Sequence, residues 1–245
     1  MIAAGTEATA TDSFVIFWDT RKTEPITTFK DSHSDDITQS RFHPSDQQKL
    51  ATGSTDGLVC IFNLSSMNEE DAIESVLNSE SSVSKIGFFG SEWDFLFCLT
   101  HIESFQLWNV AEGELITTHA NMRDKLKSHC KVTPDYLIDC LYCGNDWKDC
   151  SLCIAAGSGN GSVSLLSVEN GDFRLTGRLV AGHLETVRCI TAVPNSGLMA
   201  TGGEDGFVCL WHLSSADGPS EKALPSDSLK VPSSLKAKRR REKPY

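Results

Sequence analysis

The 245-residue sequence has no apolar run approaching the roughly 18 residues that a membrane-spanning helix needs, so we expect no membrane partner. Its start, Met-Ile-Ala-Ala-Gly-Thr-Glu, lacks the basic residues and the apolar stretch of roughly 7–15 residues of a secretory signal peptide. Basic side chains are scarce, since 22 Lys and Arg stand against 33 Asp and Glu, a net charge of −11. Without an export signal, the nine cysteines are expected to be reduced thiols of an intracellular protein.

The most informative feature that is present is an internal repeat of about 45 residues. Its best copy contains Thr-Gly-Gly-Glu-Asp-Gly-Phe-Val-Cys-Leu-Trp (201–211), and another contains Thr-Gly-Ser-Thr-Asp-Gly-Leu-Val-Cys-Ile-Phe (52–62). Each of the five copies ends in one apolar or aromatic residue, and these residues are spaced 44, 46, 58 and 45 positions apart: Trp18, Phe62, Trp108, Leu166 and Trp211. Such a period is typical of architectures in which each repeat is one supersecondary unit.

These copies resemble the WD-repeat family of β-propellers, whose blades carry Gly-His and Trp-Asp pairs about 40–45 residues apart. Gly182-His183 and Trp18-Asp19 are such pairs. Stretches outside the signature, such as Arg-Phe-His-Pro-Ser (41–45), resemble one member of the family in particular. The resemblance implies an all-β fold of about five blades, which we place at residues 1–32, 33–79, 80–119, 120–180 and 181–213.

Counting apolar alternations within these blades predicts 3, 4, 4, 4 and 3 strands, or 18 in all. The first blade has no innermost strand ahead of it, and the fifth has no outermost strand after it. Rings of this family usually have seven blades, and no strand shared between the two end blades repairs both. We therefore expect the chain to be an incomplete part of a seven-bladed ring.

The resemblance further implies a structural tetrad in each well-kept blade. Its members are His183, Thr201, Asp205 and Trp211 in the last copy, and His33, Thr52 and Asp56 in the second. A buried imidazole between a carboxylate and a hydroxyl, with an indole N–H as the last donor, satisfies every polar atom it contains. The same residue types also occur in hydrolase triads, but their recurrence in two copies favours a structural role. We therefore predict no catalytic residue and no enzyme.

Four cysteines offer a competing hypothesis, namely a zinc-binding or enzymatic protein. They form two Cys-x2-Cys pairs separated by six residues: Cys140, Cys143, Cys150 and Cys153. Paired knuckles of this kind can bind zinc as thiolates. However, the gap is shorter than usual, and residues three apart in a strand point to opposite faces. Packed thiols are the favoured interpretation, so we predict no metal and no cofactor.

The loops before each first strand and the turns between second and third strands share one end of a propeller, here termed the upper face. Its acidic residues suit a basic protein or peptide, although ordinary solubilising charge is the alternative. A further candidate is a basic insertion near 119–135, in which Met122 and Leu126 have helical spacing, because insertions between repeat strands often mark the binding face. The candidate partner-binding residues are Asp35, Asp36, Glu185, Glu204, Arg123 and Lys125. We predict an interaction scaffold without a small-molecule substrate.

Residues 214–245 differ from the repeats in composition and charge. They are rich in Ser, Pro and Lys and carry eight Lys and Arg against four Asp and Glu, which leaves residues 1–213 at −15. Nucleic acid would therefore bind at most weakly, through this tail. The tail is predicted to be disordered, and its candidate nuclear-localisation signal comprises Lys236, Lys238, Arg239, Arg240, Arg241 and Lys243. We expect a nuclear protein, or one shared between nucleus and cytoplasm.

Overall fold

The computed structural model describes residues 1–9, 12–142, 152–169, 171–193 and 197–212. These residues form 18 strands in five antiparallel sheets, in which strands adjacent in sequence are paired. The sheets contain 3, 4, 4, 4 and 3 strands in chain order. The predicted all-β fold and its strand count are therefore confirmed.

The strand bounds, sheet by sheet, are as follows. Sheet 1 contains β1 (Ile2–Gly5), β2 (Val15–Trp18) and β3 (Pro25–Phe29), and sheet 2 contains β4 (Ile37–Phe42), β5 (Lys49–Ser54), β6 (Leu58–Asn63) and β7 (Ile73–Asn78). Sheet 3 contains β8 (Val83–Phe89), β9 (Phe95–Thr100), β10 (Phe105–Asn109) and β11 (Glu114–His119). Sheet 4 contains β12 (Tyr136–Tyr142), β13 (Leu152–Gly157), β14 (Val163–Glu169) and β15 (Asp172–Leu179), and sheet 5 contains β16 (Val187–Val193), β17 (Leu198–Gly203) and β18 (Val208–His212).

Successive sheets pack face to face around the first strands of sheets 2 to 5. Strand β1 lies against β4, β8 against β4 and β5, and β12 against both β8 and β16. Apolar residues on alternating positions of these strands fill four clusters, one for each neighbouring pair of sheets. Between sheets 1 and 2, the ring centroid of Phe29 lies 4.7 Å from that of Phe17 and 5.3 Å from that of Phe62. Full burial of each such ring contributes about 1.5–3 kcal/mol.

Within the described ranges, two helices interrupt the sheets. Helix α1 (Glu69–Ala72) immediately precedes β7. Helix α2 (Met122–Cys130) is N-capped by the Asn121 side chain and buries Met122 and Leu126, so the predicted helical spacing is confirmed. No helix among the described residues is long and apolar enough to cross a membrane.

The face of sheet 5 turned away from sheet 4 differs in exposure from the equivalent face of sheet 2. Val59 and Ile61 on β6 are 0% and 1% exposed because they pack against sheet 3. Their counterparts on β18, Val208 and Leu210, are 69% and 58% exposed. At the other end of the arc, Ile2 on β1 is 51% exposed. Both end sheets thus present apolar side chains of the kind that inner sheets bury.

Candidate functional site

A buried hydrogen-bond network fixes the upper face of sheet 5. His183 lies in the loop between β15 and β16, and Asp205 lies in the turn between β17 and β18. The His183 Nδ1 atom is 3.0 Å from the Asp205 carboxylate, and its Nε2 atom is 2.8 Å from the Thr201 hydroxyl. The Trp211 indole N–H donates to the same hydroxyl at 2.8 Å. The structure therefore brings all four residues of this tetrad together.

The hydrogen-bond donors and acceptors of this network determine which ring nitrogen of His183 carries the hydrogen. The Trp211 indole can only donate, so the Thr201 hydroxyl accepts from it and donates its own hydrogen to Nε2 of His183. The Nδ1–H then donates to Asp205. Each polar side-chain group buried in the network is thereby satisfied.

Sheet 2 contains the same network without its last donor. The His33 Nδ1 atom is 3.0 Å from Asp56, and its Nε2 atom is 2.7 Å from Thr52. Phe62, which has no N–H, occupies the position of the indole and is completely buried. The three predicted residues of the second copy are thus adjacent, and apolar packing replaces one hydrogen bond.

The carboxylates of the two networks are held in their ionised form. Burial raises the pKa of Asp205, but hydrogen bonds from the backbone amides of Leu184 and Phe207 and from the His183 side chain outweigh it, so the pKa lies below its ordinary value. For Asp56, burial is likewise outweighed by hydrogen bonds from His33 and two backbone amides. Each carboxylate therefore ties its turn to the preceding loop as a charged acceptor.

Two glycines of the repeat are required by close approach. A Cβ atom at Gly203 would lie 2.7 Å from Nδ1 of His183 and 2.9 Å from an Asp205 oxygen. A Cβ atom at Gly182 would lie 2.5 Å from the Trp211 ring. The glycine of the Gly-His pair therefore leaves room for the indole that completes the tetrad.

The tetrad contains the residue types of a catalytic triad, but its histidine and threonine are buried. The Thr201 residue is 1% exposed and the His183 side chain is 0% exposed. A nucleophile must reach its substrate and a nearby oxyanion site, whereas this hydroxyl is enclosed and bonded to both the indole and the imidazole. The geometry favours a structural role.

Sheet 3 uses a different network, which the sequence analysis missed. The Trp108 indole N–H donates to the Gln106 side-chain oxygen at 3.1 Å, and the Gln106 amide donates to the Ser79 carbonyl at 3.0 Å. Thr100 and Ser104 share a hydrogen bond of 2.6 Å nearby. The signal in the sequence was Gln106, an amide side chain within an apolar segment. It lies two residues before the repeat's tryptophan and therefore on the same side of the strand.

The candidate acidic residues on the upper face are not equally available. Asp35 and Glu185 are exposed. The Asp36 carboxylate accepts from the backbone amide of Ala8 at 2.6 Å, which ties it to the start of the chain. Glu204 accepts from the Arg188 guanidinium at 2.8 Å, so its charge is partly balanced.

Helix α2 supplies the basic candidates on the same face. The Glu103 carboxylate accepts from the Leu137 amide at 2.7 Å and lies 3.5 Å from the Arg123 guanidinium, which fixes the helix beside the turn between β9 and β10. Burial raises the pKa of Glu103, and the Leu137 amide and Arg123 oppose that rise. The Lys125 ammonium lies 6.0 Å from the centroid of the Phe173 ring.

Two of the four cysteines of the zinc hypothesis, Cys140 and Cys153, lie among the described residues. Cys140 on β12 lies in the cluster between sheets 3 and 4, and Cys153 on β13 lies in the cluster between sheets 4 and 5. Burial raises the pKa of the Cys140 thiol well above its usual range, which disfavours the thiolate that a metal needs. Cys143 and Cys150 lie outside the described residues, as does the basic cluster of the tail.

A buried acid at the inner strands was also missed. Asp139 on β12 is 9% exposed and lies 3.7 Å from the Arg41 guanidinium of β4. Burial raises its pKa, while the Cys140 amide and the charges of Arg41 and Lys85 oppose the rise. The Arg41–Asp139 pair thus joins the innermost strands of sheets 2 and 4. The sequence signal was an aspartate within the apolar segment 136–142.

Comparisons with known proteins agree with this geometry. The family model described as WD domain, G-beta repeat matches residues 23–63 and 174–212. The chain is 32% identical over 243 residues to the WD repeat-containing protein GTS1 of Arabidopsis thaliana, covering 94% of this chain and 61% of that protein. It is 31% identical over 200 residues to the WD repeat-containing protein 89 homolog of Dictyostelium discoideum, covering 81% of this chain and 55% of that protein.

The fold is also similar to a chain in the crystal structure of the mitotic checkpoint complex, with a TM-score of 0.63 and 15% identity over 86% of this chain and 58% of that one. At that identity the likeness shows the fold alone. The chain thus spans little more than half the length of the proteins it matches. Repeat signature, sheet architecture and relatives together show that the chain belongs to the WD-repeat family and resembles WD repeat-containing protein 89.

Proposed function

We propose that this chain is a non-enzymatic scaffold that binds a protein or peptide partner through its upper face. The observation that carries the proposal is the pair of buried networks at His33 and His183, each of which joins a loop to a turn on that face. Pre-organised loops lose less conformational entropy when a partner binds. WD-repeat proteins generally act as protein-interaction scaffolds, which supports the same conclusion.

The charges left available on the upper face favour a partner with basic segments. Asp35 and Glu185 are exposed, and the repeats carry a large negative charge. Helix α2 adds a local basic group at Arg123, so a partner could be oriented by contacts of both signs. Such charges mainly increase the association rate and select the partner.

Site-specific photo-crosslinking in cells tests this proposal. A photoreactive phenylalanine analogue at Asp35 or Glu185 should yield a crosslinked protein species. The same analogue at the exposed outer-strand positions Val76 and Ile116 provides matched controls. The proposal is wrong if the upper-face positions crosslink no more than the outer-strand positions.

We also propose that the partner is met in the nucleus, on the basis of the basic cluster in the tail. Replacing Lys238, Arg239, Arg240 and Arg241 by alanine in a fluorescent fusion should abolish nuclear accumulation. Microscopy of the two fusions provides the measurement. An unchanged nuclear signal in the variant, or none in the parent, would contradict the proposal.

A further inference from the structure

Two large apolar side chains are exposed on the upper face of sheet 5. Leu184 is 78% exposed and Phe207 is 61% exposed. The Leu184 backbone amide donates a 3.0 Å hydrogen bond to one oxygen of the Asp205 carboxylate, and the Phe207 backbone amide donates a 3.0 Å hydrogen bond to the other. Because Asp205 is itself bonded to His183, the buried tetrad holds both residues in fixed positions.

The exposure of Leu184 follows from its place on the upper face. In sheet 2, which has packed sheets on both sides, the equivalent amides of Ser34 and Leu58 donate to Asp56 at 3.0 and 2.8 Å. Ser34 is exposed and Leu58 is half-buried. The position equivalent to Leu184 is therefore exposed even in sheet 2, where it is occupied by Ser34.

The two segments that carry the apolar pair contain more acidic than basic groups. Within segments 183–188 and 203–207, the described carboxylates are those of Glu185, Glu204 and Asp205, against the single guanidinium of Arg188. Arg188 is paired with Glu204, while Glu185 is exposed. A ligand for this surface needs an apolar side chain to cover the pair and a cation for Glu185.

We infer that Leu184 and Phe207 form the anchor of a docking site for a peptide segment in which an apolar side chain is flanked by Lys or Arg. An aromatic ring such as Phe207 buries about 150–250 Å² on contact, and a few such residues carry most of the affinity of an interface. This inference rests on the proposed function, since it names the partner chemistry of the same face.

Selection from a phage-displayed library of random peptides against the purified 245-residue chain tests the inference. We expect enriched peptides to combine Lys or Arg with Leu, Phe, Ile or Met. Leu184→Ser or Phe207→Ser should weaken their binding by roughly tenfold or more, the effect of losing a hot spot. The matched control Ile102→Ser, on another turn and 65% exposed, should leave binding unchanged.

Three results would overturn the inference: no enrichment, enriched peptides without basic residues, or binding that is insensitive to both substitutions. If Leu184→Ser instead removes self-association of the chain, the pair is a contact between copies and the peptide assignment is wrong. The proposed function is tested separately, because crosslinks at Asp35 can form even when peptides do not depend on Leu184. A failure of one is therefore distinguishable from a failure of the other.

Discussion

The two buried histidines perform the same structural task, although only the network of His183 ends in an indole donor. His183 acts in a chain that ends in the Trp211 indole, whereas His33 acts beside the buried ring of Phe62. In both sheets a cysteine thiol donates to the carbonyl that precedes the histidine, from Cys60 to Ser32 at 3.4 Å and from Cys209 to Gly182 at 3.2 Å. The loop is thus fixed on both sides of its histidine.

Removing the His183 imidazole should destabilise the chain measurably. His183→Ala leaves the Thr201 hydroxyl and the Asp205 carboxylate short of a buried partner, at about 1–3 kcal/mol for each unsatisfied group. A urea melt should show a loss of that order in the free energy of unfolding. His212→Ala, at an exposed position, should stay within about 0.5 kcal/mol of the parent. A His183→Ala variant that melts like its parent would favour a ligand-binding or catalytic role for the histidine.

The two network carboxylates should make stability depend on acid. Their folded-state pKa values lie below the ordinary value, which is about 3.9 for an unfolded Asp. Their contribution is therefore complete above that value and is lost as the pH falls through the folded-state pKa. Melts between neutral and acid pH should show this decline, and it should be shallower in Asp56→Asn. Equal slopes in variant and parent would contradict the assignment.

Among the strands and helices, those with a local pattern were predictable. Alternating residues such as Val59 and Ile61 identified β6 from sequence, and the spacing of Met122 and Leu126 identified α2. The interactions that commit Asp36 to Ala8 and Glu103 to Leu137 were not predictable, because they join residues distant in sequence. Their availability for a partner depends on these tertiary contacts, which composition and spacing do not encode.

Helix α2 should owe its position to two buried side chains. Leu126 is 0% exposed and packs into the cluster between sheets 3 and 4, so Leu126→Ala should cost about 2–5 kcal/mol through lost transfer energy and a cavity. Lys127→Ala, one residue on and exposed, should be nearly neutral. Urea melts of the two variants provide the comparison. Equal stability would mean that the helix is not packed as described.

For the molecule as a whole, the two ends of the arc matter most. Sheet 5 presents Val208 and Leu210 where sheet 2 buries Val59 and Ile61 against a neighbouring sheet. Among the described residues β18 pairs only with β17, and an exposed apolar face beside such a sheet edge promotes association. The 245-residue chain is therefore expected to cover this face by associating with other molecules.

The most direct test of these exposed end sheets is the molar mass of the purified chain by size-exclusion chromatography with light scattering. We predict oligomers for the parent, and a shift toward the monomer when Val208 and Leu210 are both replaced by lysine. Val76→Lys on the outer strand β7, where Val76 is 49% exposed, should leave the oligomers unchanged. A parent chain that is a monodisperse monomer and melts cooperatively would contradict the account.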